Sequence, residues 1–176
     1  MFDWYVPAIL FHMTLTTHAI TGAAIASFFP EHPMLAFSLG FGSHFLLDAI
    51  PHADYKILSS SINPKVGSKI NLDKLFFLDI LRIGSDGILG IFLSLILYSY
   101  PETIWVIILG ATGAMLPDPL QFVYTRFRHE PLVSLQRFHQ YIHTNIRFRR
   151  HYIFGWISQI VFVVAVISLS LYFHSF

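Results

Sequence analysis

The sequence predicts an all-α fold, a polytopic membrane bundle of about five helical segments. Three observations predict it. Hydrophobic residues make up 55% of the chain, aromatic residues 16% and charged residues only 12%, against roughly 25% charged residues in a soluble domain. Mean hydropathy is +0.60, so there is too little polar surface to cover a globule in water. Apolar runs long enough for a bilayer recur along the chain, and the basic residues gather on one side of them.

The first segment runs from His18 to Phe29 and the second from Pro33 to Ile50, joined by Pro30-Glu31-His32-Pro33 as a helical hairpin. Both are rich in Gly, Ala and Ser, the small residues that let membrane helices approach closely. The third, Leu75 to Tyr100, is long enough to span and carries Asp79, Arg82 and Asp86 in its first half. The fourth, Thr103 to Leu116, is short and ends at Pro117, while Ile153 to Phe173 forms the fifth and contains no charge. A bilayer core requires about 20 apolar residues in a helix, so the first and fourth segments are the two that fall short. The 176 residues read as one integral-membrane domain with loops at about 52–74 and 118–152. The N-terminus has neither a basic region nor an A-x-A-like site, so no cleaved signal peptide is expected.

Orientation follows from lysine and arginine. Lys56, Lys65, Lys69 and Lys74 lie in the first long loop, and Arg126, Arg128, Arg137, Arg147, Arg149 and Arg150 in the second. The connections 30–33 and 100–102 carry none, and Arg82 sits near the basic side. This places both loops and the N-terminus in the cytoplasm and the C-terminus outside, in a multi-pass protein of the cell (inner) membrane.

The histidines and aspartates fall on that same side. His18 starts the first segment; His44, Asp48, His52 and Asp54 end the second; Asp79 and Asp86 occupy the near half of the third; Asp118 closes the fourth; His139 and His143 follow in the loop. His44 and Asp48, and His139 and His143, are each four apart, which puts each pair on one helix face. Two histidines at that spacing commonly serve zinc. There are no cysteines, which excludes thiolate sites, and a nitrogen–carboxylate set suits Zn²⁺, Mn²⁺ or Fe²⁺. Zinc lowers the pKa of its water to roughly 7 and so generates a nucleophile at neutral pH, with a spare carboxylate as general base.

Other readings stand beside this one. His18 alone reads as a cap or interfacial residue. Asp79, Arg82 and Asp86 share one helix face, so an internal ion pair competes with ligation, more evenly for Asp79 than for Asp86. Asp118 also reads as a turn residue between prolines, and 132–142 as an amphipathic helix lying on the membrane surface. Arg126, Arg128, Arg147, Arg149 and Arg150 read as topology determinants and anionic-lipid contacts. His12, His32, His129, His151 and His174 read as interfacial. H-E-x-x-H, Walker, G-x-G-x-x-G and G-x-S-x-G motifs are absent.

Thr17-His18, Ser43-His44-Phe45-Leu46-Leu47-Asp48 and Leu116-Pro117-Asp118, followed by an H-x-x-x-H, resemble the LexA-regulated, membrane-bound metal-dependent hydrolases. That family carries G-H or T-H, L-P-D, H-R-G-x-T-H and S-H-x-x-x-D motifs and is related by motif to zinc-dependent phospholipase C. The resemblance implies metal binding by His18, His44, Asp48, Asp118, His139 and His143. Here S-H-x-x-x-D precedes L-P-D, as in a permuted order, and Phe138 to His143 stands where H-R-G-x-T-H is expected.

The expected function is therefore a metal-dependent hydrolase at the cytoplasmic membrane face. His18, His52, Asp118, His139 and His143 are its expected ligands, His44 and Asp48 ligands or base, and Asp86 a further candidate ligand. Zn²⁺ is the first choice of ion. The expected partners are membrane lipid and an anionic or phosphorylated substrate, small or lipid-linked, near the flanking arginines; nucleic acid is not expected. The alternatives are a divalent-metal or proton transporter using Asp79 and Asp86 as a polar path, and a non-catalytic scaffold with a structural metal. The apolar outer halves of the helices speak against the transporter.

Overall fold

The computed structural model describes residues 14–52, 57–63, 67–143 and 152–174. Among these are seven helices: α1 (Leu15–Ala26), α2 (Pro33–Asp48), α3 (Lys74–Tyr98), α4 (Ile104–Met115), α5 (Pro117–Arg126), α6 (Leu132–Ile142) and α7 (Tyr152–His174). The one departure from an all-helical chain is an antiparallel ribbon of β1 (Ser60–Asn63) and β2 (Gly67–Ile70). His12, Asp54, Lys56, Lys65, Arg147, Arg149, Arg150 and His151 lie outside the described residues.

The helix boundaries follow local chemistry. Pro33 opens α2 and Pro117 opens α5, at the position where a missing N–H costs nothing. Asp73 caps α3 by accepting hydrogen bonds from the N–H groups of Leu75 and Phe76, at 2.9 and 3.1 Å.

Helices α3 and α7 are long and apolar enough to cross a bilayer, and only 17% of each apolar window is buried inside the protein. Phe77, Leu81, Ile88 and Phe92 on α3, and Ile160, Val161 and Val164 on α7, face outward. An apolar belt of that extent is unstable against water and is the ordinary surface of a protein in lipid. The pair α4 and α5 qualifies as a third span only if its 46° bend is crossed within one span. The count is thus two or three, below the five expected. The reason is length: α1 has 12 residues and α2 has 16, which reach about 18 and 24 Å at 1.5 Å per residue.

The core is made by α1, α2 and α4 packing through small residues. A Cβ at Gly22 or Gly40 would overlap the Gly110 carbonyl oxygen, and one at Gly113 would lie 2.5 Å from the Phe37 carbonyl oxygen. Ala19, Ala23, Ala36, Ala111 and Ile107 fill the same layer. Helix α3 joins through Gly90, where a Cβ would come within 2.8 Å of the Thr16 Cα and the Ala19 Cβ. Helix α7 is pinned at both ends, by Thr14 Oγ1 donating to Gln159 Oε1 at 2.8 Å and by the Tyr98–Ser170 hydroxyl pair at 2.9 Å.

Asp86 explains itself within this packing. Thr14, the N-cap of α1, supplies no side-chain cap. The carboxylate of Asp86 reaches across from α3 instead, accepting the Thr16 N–H at 3.1 Å and the Thr16 hydroxyl at 2.7 Å. It therefore satisfies the positive end of a neighbouring helix. Asp86→Ala is expected to lower stability by about 1–2 kcal/mol, the cost of a lost cap, with bound metal unchanged. Thermal unfolding and elemental analysis of the same preparation check both halves.

Candidate metal centre

The buried polar cluster is assembled from the ends of four helices. His18 comes from the first turn of α1, His44 and Asp48 from the last turns of α2, Asp118 from the first turn of α5, and His139 from the last turn of α6. His52 follows α2 beyond Pro51, and His143 ends α6. His18 and His44 are fully buried, and Asp48, His52 and His139 are each 2% exposed.

Asp48 is the hub. Its Oδ2 lies 2.5 Å from His139 Nε2 and 3.2 Å from His44 Nε2, and its Oδ1 lies 3.4 Å from His18 Nε2. Asp118 Oδ1 stands 3.6 Å from His44 Nε2. The ligand atoms of His44, Asp48, Asp118 and His139 all lie within 4.8 Å of one another, and so do those of Asp48, His52 and His143. His18 stands beside these groups, stacked on His44 with ring centres 4.1 Å apart. Of the eight residues expected at the site, the structure brings together seven. Asp86 is the exception, held at the start of α1. Asp79 is engaged elsewhere as well: its carboxylate accepts from the Leu58 and Ser59 N–H groups and the Ser59 hydroxyl, with Arg82 at 3.6 Å.

The direction of the His44 ring decides what this cluster can do. Its Nδ1 is 2.8 Å from the Ala114 carbonyl oxygen. A carbonyl only accepts, so Nδ1 carries a proton and Nε2 is the ring atom turned inward, the one left to bind a metal when the ring is neutral. That nitrogen faces two carboxylate oxygens, at 3.2 and 3.6 Å. Acceptors so arranged need positive charge between them. A proton on His44 Nε2 would supply it, and so would a cation held by the same atoms. The ion pairs described within the cluster join histidines to aspartates. A divalent cation fits the donor set, and the backbone-held imidazole is the usual support of a metal ligand. Buried polar atoms without hydrogen bonds concentrate here too, including both His18 ring nitrogens, His44 Nε2 and Asp48 Oδ1.

Two further residues belong to the site. Gln121 Nε2 donates to Asp118 Oδ1 and lies 3.4 Å from His139 Nε2, while Gln136 Nε2 donates to Gln121 Oε1 at 3.2 Å. Each is three residues from a candidate ligand, Gln121 from Asp118 and Gln136 from His139, so helical spacing was the available signal. The stretch expected as loop and surface helix thus forms α5 and α6, which seat Asp118 and His139 inside.

Asp118 also reaches a second feature. A cavity of about 260 Å³ lies between α3, α5 and the ribbon, lined by Leu15, Phe76, Ile80, Ile83 and Phe122, with Asp118 in its wall. No protein-family model, curated protein or solved structure matches the chain.

Proposed function

We propose that the protein is a membrane-embedded, metal-dependent hydrolase acting on a phosphoester that carries an apolar tail. One observation carries the metal half of this reading: His44 Nε2, turned inward by the Ala114 carbonyl, faces two buried carboxylates. The apolar cavity that has Asp118 in its wall supports the substrate half, since an acyl or prenyl chain seated there would bring its polar end to the cluster. The motif resemblance to membrane-bound metal-dependent hydrolases agrees with both. Zn²⁺ is the proposed ion, as nitrogen and carboxylate donors suit it.

His44, Asp48, Asp118 and His139 would hold the ion. When bound, it supplies Lewis acidity toward a phosphoryl oxygen and acidifies water near neutral pH. The protein's own groups do the rest. The Ala114 carbonyl fixes the His44 tautomer, and Gln136 and Gln121 orient Asp118 and His139. His18 Nε2, 3.4 Å from Asp48 Oδ1 and outside the set that would hold the ion, would accept the proton, the role of general base. The exposed Arg126, Arg128 and Arg137 lie on or beside the helices that carry Asp118 and His139, where they would meet an anionic head group. By the lysine and arginine distribution this is the cytoplasmic face, with α1 and α2 as a hairpin packed against α4. The capping role of Asp86 favours the hydrolase over a transporter that would use that carboxylate as a relay.

Elemental analysis of the detergent-purified protein should find stoichiometric divalent metal. The metal-loaded protein should release phosphate or head group from lipid phosphoesters faster than from short-chain analogues, and chelation should abolish the turnover. Absence of metal from protein prepared without chelator would overturn the reading.

A further inference from the structure

We infer that the centre holds two divalent ions bridged by Asp48, the second ion lying between Asp48, His52 and His143. The inference rests on the metal reading above and extends it to a different set of ligands. Asp48 belongs to both groups of mutually close ligand atoms, whereas His52 and His143 join only Asp48. A zinc ligand sits about 2.0–2.2 Å from the ion, so donors sharing one ion lie within about 4.4 Å of each other. The six residues form two groups of ligand atoms lying within 4.8 Å of one another, and not one, so a single ion does not reach all six.

The second group is built like the first. His52 Nδ1 lies 2.6 Å from the Ile50 carbonyl oxygen; it therefore carries the proton and leaves Nε2 as the donor atom, as the Ala114 carbonyl does for His44. The turn that makes this possible is Pro51, which stops α2 after Asp48 and folds His52 back over it. On the facing helix, His139 and His143 sit one turn apart with ring centres 5.9 Å apart and nearly parallel. One ring thereby falls in each group. The rings run as an arc around Asp48: His44 to His139 at 4.9 Å, His139 to His143 at 5.9 Å, His143 to His52 at 5.2 Å. A carboxylate offers about four lone-pair directions, enough to serve one ion from each oxygen. Paired ions about 3.5–4 Å apart are the arrangement that clamps the attacking and leaving oxygens of a phosphoester. His143 is also the more exposed member of the arc, so the second ion is the one nearer solvent.

The test is metal stoichiometry, which needs no substrate. Purified full-length protein, loaded with Zn²⁺ and desalted, is expected to retain about two ions per chain. His52→Ala and His143→Ala are each expected to halve that number. Loading with Mn²⁺ gives an independent readout in the unaltered protein: electron paramagnetic resonance should show a spin-coupled pair, replaced by the signal of an isolated ion in His143→Ala. One ion per chain in the unaltered protein, or full retention in both variants, overturns the second ion while leaving the first intact. A protein that binds no metal at all overturns the first reading and this one together.

Discussion

The Asp48→Asn variant is expected to fold, to retain no stoichiometric metal, and to lose any thermal response to chelator. Asparagine keeps the shape of the side chain and one acceptor oxygen but exchanges the other oxygen for an NH₂ donor. In the apo protein that exchange is favourable. An NH₂ in place of Oδ2 donates to His44 Nε2 in its neutral tautomer, 3.2 Å from that oxygen in the parent. It also donates to His139 Nε2, which meets the same oxygen and accepts as the Nδ1–H tautomer, while Oδ1 still faces His18 Nε2 at 3.4 Å. In the metal-loaded protein the exchange is ruinous, because the hub ligand loses its charge and half its donor atoms. Ligand linkage stabilises the parent by about 4 kcal/mol at a thousand-fold excess of metal over the dissociation constant. For a chain of this size that is on the order of 10 °C in midpoint. Unfolding with and without chelator should therefore show a large shift in the parent and none in Asp48→Asn. A variant that keeps its metal removes Asp48 from the hub of the centre.

The apolar runs were legible because they carry their own length. Leu75 to Tyr100 and Ile153 to Phe173 appear as α3 and α7 within two residues at each end, since nothing in those stretches offers an alternative to a helix in lipid. Gly, Ala and Ser in the first two segments marked close packing, and the structure places Gly22, Ala26 and Gly40 against α4. What composition could not supply was depth. Helices α1 and α2 are as apolar as α3 but shorter, and a count by hydropathy treats a short helix and a span alike. The ribbon at 60–70 was invisible for the same kind of reason: two strands of four residues are at the shortest length at which alternation can be recognised.

The site was legible by a different route. Histidine and aspartate at four-residue spacing on segments of one sidedness anticipated that His18, His44, Asp48, His52, Asp118, His139 and His143 would meet. The same logic admitted Asp86, since an aspartate in an apolar helix requires a partner whatever its purpose. Sequence shows the requirement and not the partner, and the partner is the unfinished N-terminus of α1. Gln121 and Gln136 escaped notice because glutamine is ordinary on a polar helix face. Only burial between α5 and α6 turns them into supports for Asp118 and His139.

A second large effect is expected far from any ligand, at Gly110. Helix α4 crosses both α1 and α2 there, and a Cβ at Gly110 would overlap the Ala26 Cβ while lying 2.6 Å from the Gly22 carbonyl oxygen. Both neighbours are fixed parts of packed helices, so Gly110→Ala must push α4 outward. Overpacking of this kind typically costs about 1–3 kcal/mol. The displacement also travels one turn along α4 to Ala114, whose carbonyl holds His44 Nδ1 at 2.8 Å. Losing the partner that orients a metal ligand weakens metal affinity by roughly 10–100-fold, so Gly110→Ala should lower both the unfolding midpoint and the affinity for Zn²⁺. A Cβ added at Gly42 on α2 or Gly84 on α3 would meet nothing within 4 Å, and alanine there should stabilise by about 0.5–1 kcal/mol through helix propensity. The three variants differ by the same single carbon atom, which makes backbone contact the sole variable. Equal midpoints for Gly110→Ala and Gly42→Ala would mean that α4 is not clamped at this crossing, and a midpoint that falls without a change in affinity would uncouple the packing of the bundle from the geometry of the centre.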